Sequence, residues 1–205
     1  MVDKKILILG SNGLVGSSCK RMLETNLSYN IVASTRQDTD LFNLDDTKKL
    51  IKTVNPDVLI IAAARVGGIH ANNTNRVEFL LENLKINMNI LESCIDNNSI
   101  KIINLGSSCI YPLNASNPIN ENSIMTGVLE PTNSPYAMAK LTAIEMGRSL
   151  SSQYGHNVIN LMPTNLYGPN DNFSEMESHV IPALIHKMHK AKVENESEFY
   201  IWGTG

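Results

Sequence analysis

Ile6-Leu7-Ile8-Leu9-Gly10-Ser11-Asn12-Gly13-Leu14-Val15-Gly16 is the stretch that decides the fold. Four apolar residues in a row read as a short buried strand. The glycines that follow are spaced Gly-x-x-Gly-x-x-Gly and open a helical pattern over residues 14–25. Glycines at such a bend permit a tight turn and let main-chain N–H groups approach a pyrophosphate at a helix N-terminus. A glycine triplet alone is a weak signal. Its place between strand and helix, at the head of a βαβ unit, makes a dinucleotide site the expected reading.

Outward from that unit the same alternation continues. Short apolar runs at 31–34, 58–61, 102–105 and 158–161 are rich in branched residues, and read as strands. Helical patterns lie between them at 45–54, 74–96 and 136–154. Strand and helix in alternation predict an α/β fold, a doubly wound parallel sheet of the Rossmann-like kind. Residues 111–135 carry Pro112, Pro118, Pro131 and Pro135 and read as a long loop of the kind that bears function. After Pro163 the pattern changes to a loop, a helix over 180–192 and a strand over 199–202. The expected division is a nucleotide-binding domain over 1–165 and an incomplete substrate-binding region over 166–205.

Composition narrows the class. The 205 residues are 42% hydrophobic and 18% charged, with a net charge of −3, as in an ordinary globular protein. The absence of a basic patch argues against nucleic acid as a partner. No apolar run reaches membrane-spanning length, and the first strand is too short for a signal-peptide core. Cys19, Cys94 and Cys109 form no Cys-x-x-Cys pair. An odd, sparse set fits a reducing compartment, here the cytoplasm, and offers no zinc site.

Ser134-Pro135-Tyr136-Ala137-Met138-Ala139-Lys140 carries the chemistry. With Ser134 as N-cap and Pro135 opening the helix, Tyr136 and Lys140 share a helix face, with Cβ atoms about 5–6 Å apart. A nearby ammonium lowers a phenol's pKa, which suits proton transfer to a ketone oxygen. Ser107 ends the strand over 102–105, where ligands of doubly wound sheets bind. At the end of the second strand stands Arg36, suited to the 2′-phosphate of NADP, with Asp38 and Asp40 close enough to meet ribose or adenine.

Strand-end serine, Tyr-x-x-x-Lys and glycine fingerprint together resemble the extended short-chain dehydrogenase/reductase superfamily. The blocks Ala62-Ala63-Ala64-Arg65-Val66-Gly67-Gly68-Ile69, Gly106-Ser107-Ser108-Cys109-Ile110-Tyr111-Pro112 and Leu129-Glu130-Pro131-Thr132-Asn133 narrow the resemblance to the GDP-L-fucose synthase family. So do Met162-Pro163-Thr164-Asn165-Leu166-Tyr167-Gly168-Pro169-Asn170 and Ser178-His179-Val180-Ile181-Pro182.

The resemblance implies conversion of GDP-4-keto-6-deoxy-D-mannose to GDP-L-fucose by inversion at C3 and C5 and reduction of the C4 ketone, with NADP(H) as cofactor. It makes Ser107, Cys109, Tyr136, Lys140 and His179 the catalytic candidates. Cys109 and His179 are the acid–base pair of the inversions, in either assignment. The cofactor would meet Gly10, Ser11, Asn12, Gly13, Leu14, Val15 and Gly16, then Arg36, Asp40, Leu41 and Ala63. Further cofactor contacts are expected at Leu105, Gly106, Ser107, Ser108, Tyr136, Lys140, Pro163, Thr164, Asn165, Leu166 and His179. Lys187 and Trp202 are expected near the GDP of the substrate. The family also implies a homodimer joined through the helices over 74–96 and 136–154. Asn12 stands where some relatives carry arginine, which leaves Arg36 as the main NADP determinant. The rival readings are another nucleotide-sugar 4-epimerase or 4-reductase, and a truncated NADP-binding module without catalysis.

Overall fold

The computed structural model describes residues 4–175 and 177–201. Its strands are β1 (Lys4–Leu9), β2 (Tyr29–Ser34), β3 (Val58–Ile61), β4 (Lys101–Leu105) and β5 (Asn157–Leu161). They pair in parallel throughout, in the order β2-β1-β3-β4-β5. The helices between them are α1 (Leu14–Leu23), α2 (Leu44–Val54), α3 (Ile69–Thr74), α4 (Arg76–Glu92) and α5 (Ser134–Tyr154), and α6 (Val180–Glu194) follows β5. The chain steps from β1 outward to β2, then crosses to β3 on the other side. The winding therefore reverses between β1 and β3, and ligands of such sheets bind outside the carboxyl ends at that reversal. Gly10 stands there.

Both faces of the sheet's centre are covered, which is why β1 reads as a continuous apolar run. Leu7, Leu9, Leu59, Ile61 and Ile102 pack against Ile51 of α2, Ile86 and Ile90 of α4, and Leu150 of α5. Ile6, Ile8 and Ile60 face the other way, against Cys19 and Leu23 of α1. Each such side chain contributes about 1.5–3 kcal/mol when fully buried. At the sheet's edge Ile159 and Leu161 of β5 remain 37% and 46% exposed.

The structure departs from the sequence reading at two elements. The helix expected over 74–96 is found as α4, starting at Arg76, but it is preceded by an unexpected short helix, α3, and Asn75, with φ −108° and ψ 46°, separates the two. The Asn75 amide donates to the Ala71 carbonyl and to Thr74 Oγ1, competing locally with the helix ladder. Phe199–Ile201 are coil rather than strand. A strand persists through a ladder partner, and the five paired strands of the described residues leave these three outside the sheet. Trp202 lies outside the described residues.

The chain beyond 165 is tied to α1 and to the loop after β3. Asn170 donates to Ser17 Oγ of α1 (3.0 Å), and Gly68 N–H donates to the Glu177 carbonyl (2.7 Å). Among the described residues no helix is long and apolar enough to cross a membrane.

Candidate active site

The glycine loop is built by close approach. Gly10 has φ +78°, and a Cβ there would sit 2.7 Å from the Ala63 Cα. A Cβ on Gly16 would overlap the Gly10 carbonyl oxygen. The loop is tied to the end of β2: Gly10 N–H, Ser11 N–H and Ser11 Oγ all donate to the Ser34 carbonyl. Helix α1 begins after Gly13, with no side chain capping it and no acidic residue in its first turn. Its leading N–H groups and positive dipole end are thus offered to an anion. These features fit a dinucleotide pyrophosphate. Arg36 is exposed past the end of β2, its guanidinium 5.8 Å from the Phe42 ring centroid. Asp40 accepts from Phe42 N–H, and the Leu41 carbonyl accepts from Asn89.

The second half of the site grows from the end of β4. Gly106 N–H donates to the Leu161 carbonyl and Ser108 N–H to the Pro163 carbonyl, so the residues past β4 and β5 travel together. Thr164, Asn165 and Leu166 continue from that junction. Ser107 Oγ accepts from Cys109 N–H (3.4 Å), capping a short 3-10 turn over Ser108–Ile110. Helix α5 presents Tyr136 and Lys140 to this turn. The Lys140 ammonium lies 5.6 Å from the Tyr136 ring centroid and donates to the Leu105 carbonyl (2.7 Å). Phe79 of α4 meets the Tyr136 ring edge-on, with centroids 6.4 Å apart.

Electrostatics mark the same group. Burial pushes the Lys140 pKa down to about 8, opposed by Cys109. Burial pushes the Cys109 thiol up, while the Ser107 hydroxyl and the Lys140 charge pull it down and Glu130 raises it. Burial and Cys109 both raise Tyr136. The expected lowering of the phenol by its lysine is not what the structure shows. The ammonium is bound to a main-chain carbonyl, and desolvation of the phenolate dominates.

Ser107, Cys109, Tyr136 and Lys140 therefore share one cluster. His179 is exposed, as the N-cap residue of α6. Its link to the cluster runs through main chain and Phe79. Glu177 is clasped by Gly68, and Gly67 sits against the Phe79 ring. Lys187, two turns further along α6, donates to the Tyr200 carbonyl (3.2 Å).

Sequence reading passed over a bracket at the start of α5. The Glu130 carboxylate accepts from Thr132 N–H, Thr132 Oγ1 and Asn133 N–H. Arg76, at the start of α4, donates to the Pro131 carbonyl and to Ser134 Oγ. The helix begins with Asn133 as cap residue rather than Ser134. Glu130 lies three residues ahead of the Asn133 cap, outside the capping-box position at the third helical residue, so capping rules do not single it out. Nothing in the local sequence points to Arg76, 55 positions from Pro131.

A doubly wound parallel sheet, a glycine loop at its reversal point and a Ser-Tyr-Lys cluster at the neighbouring strand end define a dinucleotide-binding enzyme fold. The chain belongs to the NAD dependent epimerase/dehydratase family, matched over residues 6–205. It is 45% identical over 207 residues to GDP-L-fucose synthase 1 of Arabidopsis thaliana, covering all of this chain and 64% of that protein. A GDP-L-fucose synthetase from Naegleria fowleri, solved with NADP bound, is 32% identical with a TM-score of 0.86 over all of this chain and 67% of the other. A GDP-mannoheptose C4 reductase from Campylobacter jejuni, solved with NADP bound, is 36% identical with a TM-score of 0.84 over 94% of this chain and 57% of the other. The chain spans 63–64% of the length of the first curated relatives it matches.

Proposed function

We propose that this protein converts GDP-4-keto-6-deoxy-D-mannose to GDP-L-fucose, inverting C3 and C5 and then reducing the C4 ketone with NADPH. The observation that carries the reading is the grouping of Cys109 with Ser107, Tyr136 and Lys140. A thiol beside the reductase triad adds a proton-transfer group that ketone reduction alone does not need.

NADPH, when bound, supplies the hydride for C4. The glycine loop and the α1 N-terminus hold its pyrophosphate, Arg36 its 2′-phosphate, and Lys140 its nicotinamide ribose. Asp40, Leu41, Ala63 and residues 163–166 line the remainder. Both carbons to be inverted flank the ketone, so enolate formation acidifies their protons. Ser107 and Tyr136 donate hydrogen bonds to the C4 oxygen and hold the enolate charge. Cys109 and His179 serve as base and acid on opposite faces of the sugar. Tyr136 finally gives its proton to the C4 oxygen. Residues 1–165 form the cofactor domain, and 166–205 begin the substrate region, with Lys187 and Trp202 toward the GDP. Val77, Leu81 and Met88 form an exposed apolar stripe on α4 at helical spacing. With α5 it is the surface through which two copies pair.

A second reading, a C4 reductase that does not epimerise, is favoured by the similarity to the Campylobacter jejuni reductase. Cys109→Ser separates the two. Solvent deuterium exchange at C3 and C5 should fall by about 10²-fold or more, the scale of one acid–base group. Unchanged exchange in the variant sinks the role of Cys109, and a wild-type chain that reduces the ketone with no exchange at either carbon favours the second reading.

A further inference from the structure

The loop after β2 contains two acids and one cation, Asp38, Asp40 and Arg36. An acid at this point ordinarily reads the ribose diol of an unphosphorylated dinucleotide, and an arginine reads the 2′-phosphate. Each acid has one carboxylate oxygen bonded within the loop. Asp38 Oδ2 accepts from Thr35 N–H (2.8 Å) and from Thr35 Oγ1 (2.6 Å), and Asp38 N–H returns a bond to the Thr35 carbonyl (3.1 Å). Gln37 N–H donates to Thr35 Oγ1, closing the same turn. Those bonds hold the Asp38 carboxyl below the usual carboxylate range. Asp40 Oδ1 accepts from Phe42 N–H (2.9 Å). Arg36 sits at the corner of the turn that Asp38 closes. Its guanidinium lies over the Phe42 ring, and Phe42 is packed against the main core. No ion pair joins Arg36 to either acid among the described residues.

We propose that Phe42 and Asp38 are specificity-determining residues that select a 2′-phosphorylated dinucleotide by presenting Arg36. The inference rests on the cofactor reading above and adds two residues to it. Phe42 is an anchored aromatic face that limits the rotamer freedom Arg36 loses on meeting a dianion. Asp38 works as a turn closer, with its charge spent on Thr35 rather than on ribose.

The test is titration of the purified chain with NADPH and with NADH, following ligand binding by calorimetry. Phe42→Leu keeps an apolar anchor against the core but removes the ring. It should weaken NADPH by about 3–5-fold, the scale of an exposed cation–π contact, and leave NADH within about twofold. Asp38→Ala opens the turn and should weaken NADPH likewise. Asp38→Asn keeps an acceptor oxygen for Thr35 and should preserve the preference. Equal weakening of both nucleotides by Phe42→Leu would overturn the role of Phe42. Loss of NADH binding in Asp38→Asn, with NADPH unchanged, would make Asp38 a ribose acceptor and overturn its assignment. A wild-type chain that binds NADH as tightly as NADPH refutes the inference and leaves the site standing. One that binds neither refutes the cofactor reading too.

Discussion

Replacing Lys140 with methionine should make the fold more stable at neutral pH. Lys140 is 3% exposed, and burial lowers its pKa from 10.5 to about 8. The unfolded chain therefore binds more protons than the folded one between about pH 8 and 10.5, and stability rises with pH across that window. At about 1.4 kcal/mol per pH unit, keeping the buried ammonium charged below pH 8 costs the fold about 3 kcal/mol. Methionine matches the unbranched four-atom stem of lysine, lacks the terminal nitrogen and carries no charge. It forfeits the bond to the Leu105 carbonyl, worth about 1 kcal/mol. The variant should gain about 2 kcal/mol at pH 7, or about 4–8 °C in Tm for a chain of this size. At pH 10 most of the gain should be gone. Urea unfolding at pH 7 and pH 10, wild type against Lys140→Met, measures both differences. A variant less stable than wild type at pH 7, or a gap that is the same at both pH values, would refute the reasoning. The same variant should lose reductase turnover, since a lysine kept at this cost serves the site rather than the fold.

Two more outcomes follow from the geometry. On the proposed roles, Tyr136→Phe removes both the proton donor for the C4 oxygen and one of the two enolate donors, so ketone reduction should drop by about 10²–10⁴-fold and deuterium exchange at C3 and C5 should fall less, with Ser107 still in place, as product and isotope analysis of one reaction would record. Glu130→Ala frees Thr132 and Asn133 ahead of α5 and should cost about 1 kcal/mol. Because the Glu130 pKa is lowered by the Thr132 bonds, that difference should be present above the ordinary carboxylate range and fade as pH falls through the lowered value, which thermal melts from pH 7 to pH 3 would follow.

The glycine loop was legible because its spacing is its geometry: Gly10 and Gly16 are glycines where a Cβ would strike main chain. The central strands β1 and β3 were legible because both faces are buried and their runs are continuously apolar, whereas β4 and β5 carry Asn104 and Asn160 within theirs and were legible through their branched residues. Tyr136 and Lys140 were legible as a pair, since four residues on a helix fix their distance. Their electrostatics were not. The partner of the Lys140 ammonium is the Leu105 carbonyl, 35 positions away, and desolvation is a property of the packed site. The short helix α3 was not legible, because six residues are too few to show a helical period, and the Asn75 amide that bonds back to the Ala71 carbonyl at its end leaves little mark on the pattern. Arg76, Phe79 and Phe42 act through contacts with distant or loop residues and carry no motif of their own.

The central claim is that epimerisation and reduction occur at one site in this chain. The protein should be given GDP-4-keto-6-deoxy-D-mannose and NADPH in deuterium oxide, and the product mass compared with the NADPH consumed. One NADPH should be oxidised per product, with solvent deuterium at both C3 and C5. NADPH oxidation with no deuterium at either carbon would contradict that claim.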